Sequence, residues 1–268
     1  MPKIRFFEKF KSKRHAQKKS SDAKDKVKHH AEKKSADGKD VSENYEFYNV
    51  LSPRSPYNVA ESYRRLYANI TYLPIEGKCR KIAISSAIAG EGKTTVSVNL
   101  AITLAQNMNA ARILLIDTDL RKPGVELMLP KDFQKRGLSE FLSGADKEPN
   151  IVSSSVVGLS VLYAGEFSEN PTRLISSERM AALFNYCEDK FDYIILDTPA
   201  LDAGSEALLM KKFISGYVLV AKSKNSDVTS LGKAIDSLQV MGAPIFGLVL
   251  TGETVKKQKK RKFIFRRR

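Results

Sequence analysis

The 268-residue sequence predicts an α/β protein of the P-loop NTPase type, a mainly parallel sheet with helices on both faces and disordered basic tails. Three observations carry that expectation. Short apolar strands alternate with helical stretches from residue 81 to residue 250, a glycine turn ending in lysine separates the first strand from the next helix, and two strands end in aspartate. This rhythm puts a ligand at the carboxyl ends of the strands.

Residues 1–44 are polar and poor in aliphatics after Phe10, and read as a disordered tail with a short amphipathic start. Leu51-Ser52-Pro53-Arg54-Ser55-Pro56 is a proline-stiffened lead-in. Residues 58–72 then read as a helix, with Ala60, Tyr63, Leu66, Tyr67 and Ile70 at helical spacing and Asn58 as its cap. The alternation that follows gives strand 81–87, helix 94–108, strand 112–118, short helix 138–143, strand 159–164 and helix 178–189. Strand 192–198, helix 204–213, strand 216–222, helix 227–241 and strand 244–250 complete it. The domain is expected over residues 45–253, and residues 254–268 form a basic C-terminal tail.

The net charge of +15 belongs to the two ends. Residues 1–40 hold 14 Lys or Arg against 6 acids and residues 254–268 hold 9 against none, which leaves 22 bases and 24 acids between them. A near-neutral middle argues against a folded nucleic-acid-binding face, and no nucleic-acid partner is expected. Ile4, Phe6, Phe7 and Phe10 sit among lysines and Arg5, and Phe263-Ile264-Phe265 lies among bases too. Aromatics interleaved with bases suit an anionic membrane surface, with solvated tails lacking any target as the other reading. No apolar run approaches the length of a spanning helix and the N-terminus has no signal-peptide core, so a cytoplasmic protein at the inner face of the membrane is expected. Cys79 and Cys187 have no C-x-x-C or His neighbour and read as reduced structural residues, while all three histidines lie in the N-terminal tail.

Ala87-Ile88-Ala89-Gly90-Glu91-Gly92-Lys93-Thr94-Thr95 has the G-K-[ST] ending of a phosphate-binding loop, with Ala87 where the first glycine usually stands. Glycines let backbone N–H groups close on phosphate oxygens, Lys93 supplies a point charge, and the Thr94 hydroxyl can reach Mg²⁺. Gly90, Glu91, Gly92, Lys93, Thr94 and Thr95 are thus the candidate nucleotide-binding residues, at a helix N-terminus that favours an anion. Asp117 and Asp119 end the strand Ile113-Leu114-Leu115-Ile116, and Asp197 ends Tyr193-Ile194-Ile195-Leu196. Carboxylates at strand tips beside such a loop can hold Mg²⁺ through water. Three exceed what one metal needs, so the surplus one is free to take a proton from an attacking hydroxyl.

In order along residues 51–251, these segments resemble one family. The lead-in S-P-R-S-P with E-S-Y-R-R-L-Y-A-N-I, the loop A-G-E-G-K-T-T, L-I-D-T-D-L-R-K-P, G-L-S-E-F-L-S-G, E-N-P-T-R-L-I-S-S and Y-I-I-L-D-T-P are similar to the bacterial tyrosine kinases of capsule and exopolysaccharide synthesis, the CpsD/CapB type. The resemblance implies autophosphorylation on tyrosine with ATP and Mg²⁺, homo-oligomers, and a membrane polysaccharide co-polymerase adaptor that supplies an activating segment. It also implies roles: Lys93 on the β- and γ-phosphates, Thr94 on the metal, Asp119 and Asp197 holding Mg²⁺ through water, Asp117 as base, and Arg121 and Lys122 as auxiliary cations.

The sequence departs from that pattern at four places. No tyrosine follows Tyr217, the helix motif E-x-x-R-x-x-R reads Glu61, Arg64, Tyr67, the D-T-P-P strand end is Asp197-Thr198-Pro199-Ala200, and Thr251 replaces the asparagine near the base. Without a C-terminal tyrosine cluster, Tyr45 and Tyr48 are the expected acceptors in trans, with Tyr57 as a further candidate. Two other functions share the phosphate chemistry. A MinD/ParA-like ATPase carries a second lysine early in the loop, where Ile88 stands here, and a nucleotide-binding regulator without kinase activity fits the missing tyrosine tail.

Overall fold

The computed structural model describes residues 50–52, 54–129, 136–223 and 226–252. Tyr45, Tyr48 and both basic tails lie outside them. Helix α1 (Tyr57–Thr71) precedes strand β1 (Arg80–Ser86), helix α2 (Lys93–Asn107) and strand β2 (Ile113–Asp117). Helices α3 (Val125–Met128) and α4 (Leu138–Ser143) lead to strands β3 (Val152–Ser153) and β4 (Leu159–Leu162), then helices α5 (Pro171–Ile175) and α6 (Glu178–Glu188). Strand β5 (Tyr193–Asp197), helix α7 (Glu206–Leu209), strand β6 (Gly216–Lys222), helix α8 (Val228–Val240) and strand β7 (Ile245–Thr251) follow.

These strands form one seven-stranded sheet in the order β3-β4-β2-β5-β1-β6-β7. Every pairing is parallel except β3 with β4. From β1 the chain steps over one position to β2 and on to β4, returns to fill that position with β5, then crosses to β6 and β7 on the other side. The direction of winding therefore reverses at β1, and the crevice beyond its carboxyl end is where such a sheet binds ligand.

The sheet is buried on both faces because the middles of its central strands carry apolar residues on both sides, as in Ile113–Ile116 and Ile194–Leu196. Leu114, Ile116, Ile194 and Leu196 join Met180, Leu183 and Phe184 of α6 and Leu238 of α8 in one core. Their strand neighbours Ile113, Leu115 and Ile195 point the other way, into a second core with Val96, Leu100 and Leu104 of α2 and Ile70 of α1. Parity along each strand thus decides which helix layer a residue supports.

The structure amends three expectations. Helix α1 starts one residue before Asn58, after Pro56 and without a side-chain cap, so Asn58 lies inside the first turn. The helix expected over 204–213 is a single turn, α7, followed by a 3₁₀ turn over Met210–Lys212. Elements α3, β3 and α5 have no counterpart in the sequence reading, since each is too short to show a period. The α5 start was legible all the same: Asn170 accepts from the Arg173 amide at 3.3 Å and Pro171 occupies the first helical position.

Candidate active site

The loop between β1 and α2 turns on two glycines with left-handed backbones, Gly90 (φ 81°) and Gly92 (φ 95°). Ala87 has no such conformation and its side chain is buried, which is why alanine serves where a glycine is more usual. Glu91 is buried at 2% exposure, with Oε2 accepting from the Ile88 amide at 3.2 Å and Oε1 accepting from the Ser226 hydroxyl. The Thr251 hydroxyl donates to the Glu91 carbonyl at 2.7 Å, and its methyl carbon would stand 3.4 Å from a side chain on Gly92. Glu91 is therefore a brace, and only its main chain is available to a phosphate. Lys93 is nearly buried at the first position of α2, with Thr94 and Thr95 beside it in a first turn whose amides lack helical partners.

Asp117 and Asp197 are register partners on adjacent strands, and both are buried. The two oxygens of Asp117 take three backbone amides: Asp119 at 3.1 Å on Oδ1, and Gly124 at 3.0 Å and Val125 at 3.1 Å on Oδ2. Burial and the facing Asp197 charge still push its carboxyl well above the usual range, against those donors. Burial likewise lifts Asp197 to about 6, with the hydroxyls of Thr94 and Ser97 and the Lys93 charge pulling the other way. Ser97 Oγ donates to Asp197 Oδ1 at 2.9 Å. Asp119 is only half-buried: its Oδ1 accepts the Lys122 amide at 3.0 Å, and burial raises its carboxyl against that bond and the Lys93 charge.

Thr94, Asp119 and Asp197 offer oxygen donors alone, which suits a hard cation that keeps part of its water shell. The mutual repulsion of buried Asp117 and Asp197 is what a divalent charge nearby would relieve. The site thus fits Mg²⁺ by chemistry. Gly124 closes its wall, since a Cβ there would meet Thr94 Oγ1 and Cγ2 at 3.0 Å.

The auxiliary cations part company. Lys122 is exposed, whereas Arg121 is held by a carboxylate the sequence reading missed: its Nη2 and Nε lie 2.7 and 3.2 Å from Glu206 Oε1. The Thr172 hydroxyl donates to the same oxygen at 2.7 Å. Burial would raise the Glu206 carboxyl, but Thr172 and Arg121 hold it below the usual range. This ion pair ties the turn after β2 to α5 and α7. No spacing rule links residues 121, 172 and 206, so the cluster was invisible in one dimension. Ser97 was closer to view, one turn beyond Lys93 on the same helix.

Sheet order, loop and carboxylates together define a P-loop NTPase. The family model that matches residues 78–268 is ParA, described as NUBPL iron-transfer P-loop NTPase. The tyrosine-protein kinase YwqD of Bacillus subtilis (strain 168) is 30% identical over 210 residues, covering 78% of this chain and 88% of that one. Among solved structures, the chimerical protein CapA2B2 matches with TM-score 0.68 and 30% identity over 74% of this chain and 86% of that chain. The septum site-determining protein MinD complexed with Mg-ADP, from Pyrococcus horikoshii OT3, matches with TM-score 0.56 and 25% identity over 66% of this chain and 72% of that chain. The chain belongs to the ParA-type P-loop NTPases and, within them, to the bacterial protein-tyrosine kinases of the CpsD/CapB type.

Proposed function

We propose that this tyrosine kinase uses MgATP to phosphorylate itself and, through a membrane polysaccharide co-polymerase adaptor, regulates the synthesis and export of capsular or extracellular polysaccharide. The observation that carries the phosphoryl chemistry is the convergence of Lys93, Thr94, Asp119 and Asp197 at the carboxyl ends of β1, β2 and β5. The likeness to a MinD complexed with Mg-ADP supports the nucleotide and the metal. The CapA2B2 match and the resemblance to CpsD support the adaptor and the polysaccharide role.

In this reading the main-chain amides from Gly90 to Thr95 and the Lys93 ammonium hold the β- and γ-phosphates. Thr94 and Asp197 would hold Mg²⁺, which when bound neutralises charge on the phosphates, and Asp119, expected from the sequence as a third metal-holding carboxylate, is given to proton transfer instead. We assign the base to Asp119 rather than Asp117. Asp117 is fully buried and its three amides shape the turn from Asp119 to Val125, whereas Asp119 is half-buried beside the Lys93 charge and takes the amides of Lys122 and Arg121. A half-buried carboxyl with a raised pKa accepts a phenolic proton more readily than an ordinary one. Arg121, fixed by Glu206 and Thr172, keeps a positive charge beside that turn.

The deciding experiment is Lys93→Met. It removes one charge and leaves the apolar strand and helix in place, so phosphotyrosine formation is expected to fall at least about a hundredfold with Tm unchanged. Near-normal phosphorylation by the variant would mean the chemistry lies elsewhere.

A further inference from the structure

Eight tyrosines fall among the described residues, and their hydroxyls separate into distinct environments. Tyr163, Tyr193 and Tyr217 are buried, with hydroxyls bonded to the Leu129 carbonyl, Arg80 Nη1 and the Ala207 carbonyl at 2.6, 2.9 and 2.6 Å. Tyr63 and Tyr67 lie along α1 with hydroxyls 3.4 Å from the Thr95 and Asn107 carbonyls of the α2 segment. Tyr186 is 38% exposed, and its ring carries Lys190 Nζ 3.3 Å from the centroid. Only Tyr57 and Tyr72 stand well clear of the surface among these eight, at 75% and 87% exposure.

An acceptor tyrosine must leave its own surface and enter an active-site cleft with some main chain on either side. Tyr72 closes α1, with its amide on the Ala68 carbonyl at 3.2 Å, and the next residue, Leu73, packs on the core. Drawing that chain out disturbs the core. Tyr57 opens α1 behind a proline lead-in, and the cap position contributes no side-chain bond. Freeing it breaks the bonds from the Val59 and Ala60 amides to the Pro56 carbonyl at 2.9 and 3.1 Å, and helix ends open at little cost.

Tyr57 also has a cation already in place. The Arg64 guanidinium carbon stands 5.7 Å from its ring centroid, while Arg64 Nη1 and Arg65 Nε each lie 3.6 Å from a Glu61 oxygen. If Arg64 turns to a phosphate on Tyr57, Glu61 retains Arg65. The exchange leaves Glu61 paired, and a phosphate dianion facing a guanidinium gains short, charge-assisted hydrogen bonds.

We propose that Tyr57 is a phosphorylation site of this kinase and that Arg64 is the group that receives its phosphate. The inference rests on the MgATP-dependent kinase reading above. In the transfer, a bond forms between Tyr57 Oη and the γ-phosphorus as the bond from that phosphorus to the β–γ bridging oxygen breaks. ADP leaves with the electron pair, and the phenolic proton passes to an active-site carboxylate.

The test uses the full chain, isolated from its producing cells with phosphatase inhibitors, beside the Lys93→Met variant made in the same cells. Trypsin separates residues 40–54, with Tyr45 and Tyr48, from residues 55–64, with Tyr57 and Tyr63, and fragment masses assign the phosphate within each. Phosphate at Tyr57 that is lost in Lys93→Met is the expected result. In phosphorylated Arg64→Ala protein, a tyrosine phosphatase is expected to remove the Tyr57 phosphate about three- to tenfold faster than in the parent. Phosphate confined to residues 40–54 overturns this inference and leaves the kinase reading standing, whereas phosphotyrosine that persists unchanged in Lys93→Met overturns that reading too. Phosphate at Tyr57 with an unchanged phosphatase rate overturns the role of Arg64.

Discussion

Two aspartates two residues apart have opposite surroundings, and that difference assigns their work. Asp117 is buried and takes three amides that fix the following turn, while Asp119 is half-buried, lies near the Lys93 charge and takes the amides of Lys122 and Arg121. Substituting asparagine separates the roles. In Asp117→Asn an amide NH₂ replaces one acceptor and faces backbone N–H groups, so a loss of about 1–3 kcal/mol is expected, read as a lower Tm together with weaker turnover. Asp119→Asn is expected to keep Tm and ATP affinity but to lower kcat at least about a hundredfold, because a base acts in the transition state alone. A full-length Asp117→Asn protein with parental Tm, or an Asp119→Asn protein with parental kcat, would reverse the assignment.

At the scale of elements, α2 and α8 start in different ways. Helix α2 opens on Gly92 with no side-chain cap, which leaves its first amides free for an anion. Helix α8 is capped instead: the Asp227 carboxylate accepts from the Thr229 and Ser230 amides at 3.1 and 3.0 Å. The Ser230 hydroxyl is the largest cause holding that carboxyl below its usual range, with the two amides adding to it. A folded-state pKa below the unfolded one gives a contribution that is whole above the unfolded value of about 3.9 and vanishes as pH falls through the folded value. Asp227→Ala is therefore expected to lower Tm by about 2–4 °C near neutrality, with the gap narrowing in acid. Thermal melts of both proteins from pH 7 down to about 3 test this, and a gap that stays constant counts against it.

Across the whole molecule, charge is divided between a near-neutral domain and strongly basic ends. The two end segments hold 23 of the 45 lysines and arginines. Among the described residues no helix is long and apolar enough to cross a membrane. Membrane contact by the aromatic-basic ends, as proposed from the sequence, then depends on electrostatics and interfacial insertion. Removing residues 1–14 together with 255–268 is expected to reduce co-sedimentation with anionic vesicles, and the binding of the full chain is expected to weaken steeply with salt. Equal sedimentation of the two proteins at low salt would assign membrane contact, if any, to the folded domain.

What the sequence determined by itself was whatever is encoded locally. Apolar strands such as 113–116 and 193–196, the helix after the loop, and the glycine-lysine turn are all written in runs of neighbouring residues, so the parallel sheet and its phosphate loop were legible. Lys93, Thr94 and the strand-end aspartates were legible for the same reason, because a strand tip beside a glycine turn is a local pattern. Tertiary structure decided which polar group meets which. That Asp117 accepts the amides of Gly124 and Val125, that Glu91 braces the loop against Ser226, and that Glu206 reaches back to Arg121 depends on strand order and chain crossings. Partners 85 or 135 residues apart leave no periodic trace in one chain, and the hydrogen-bond valence of a buried carboxylate is settled only when its neighbours are in place.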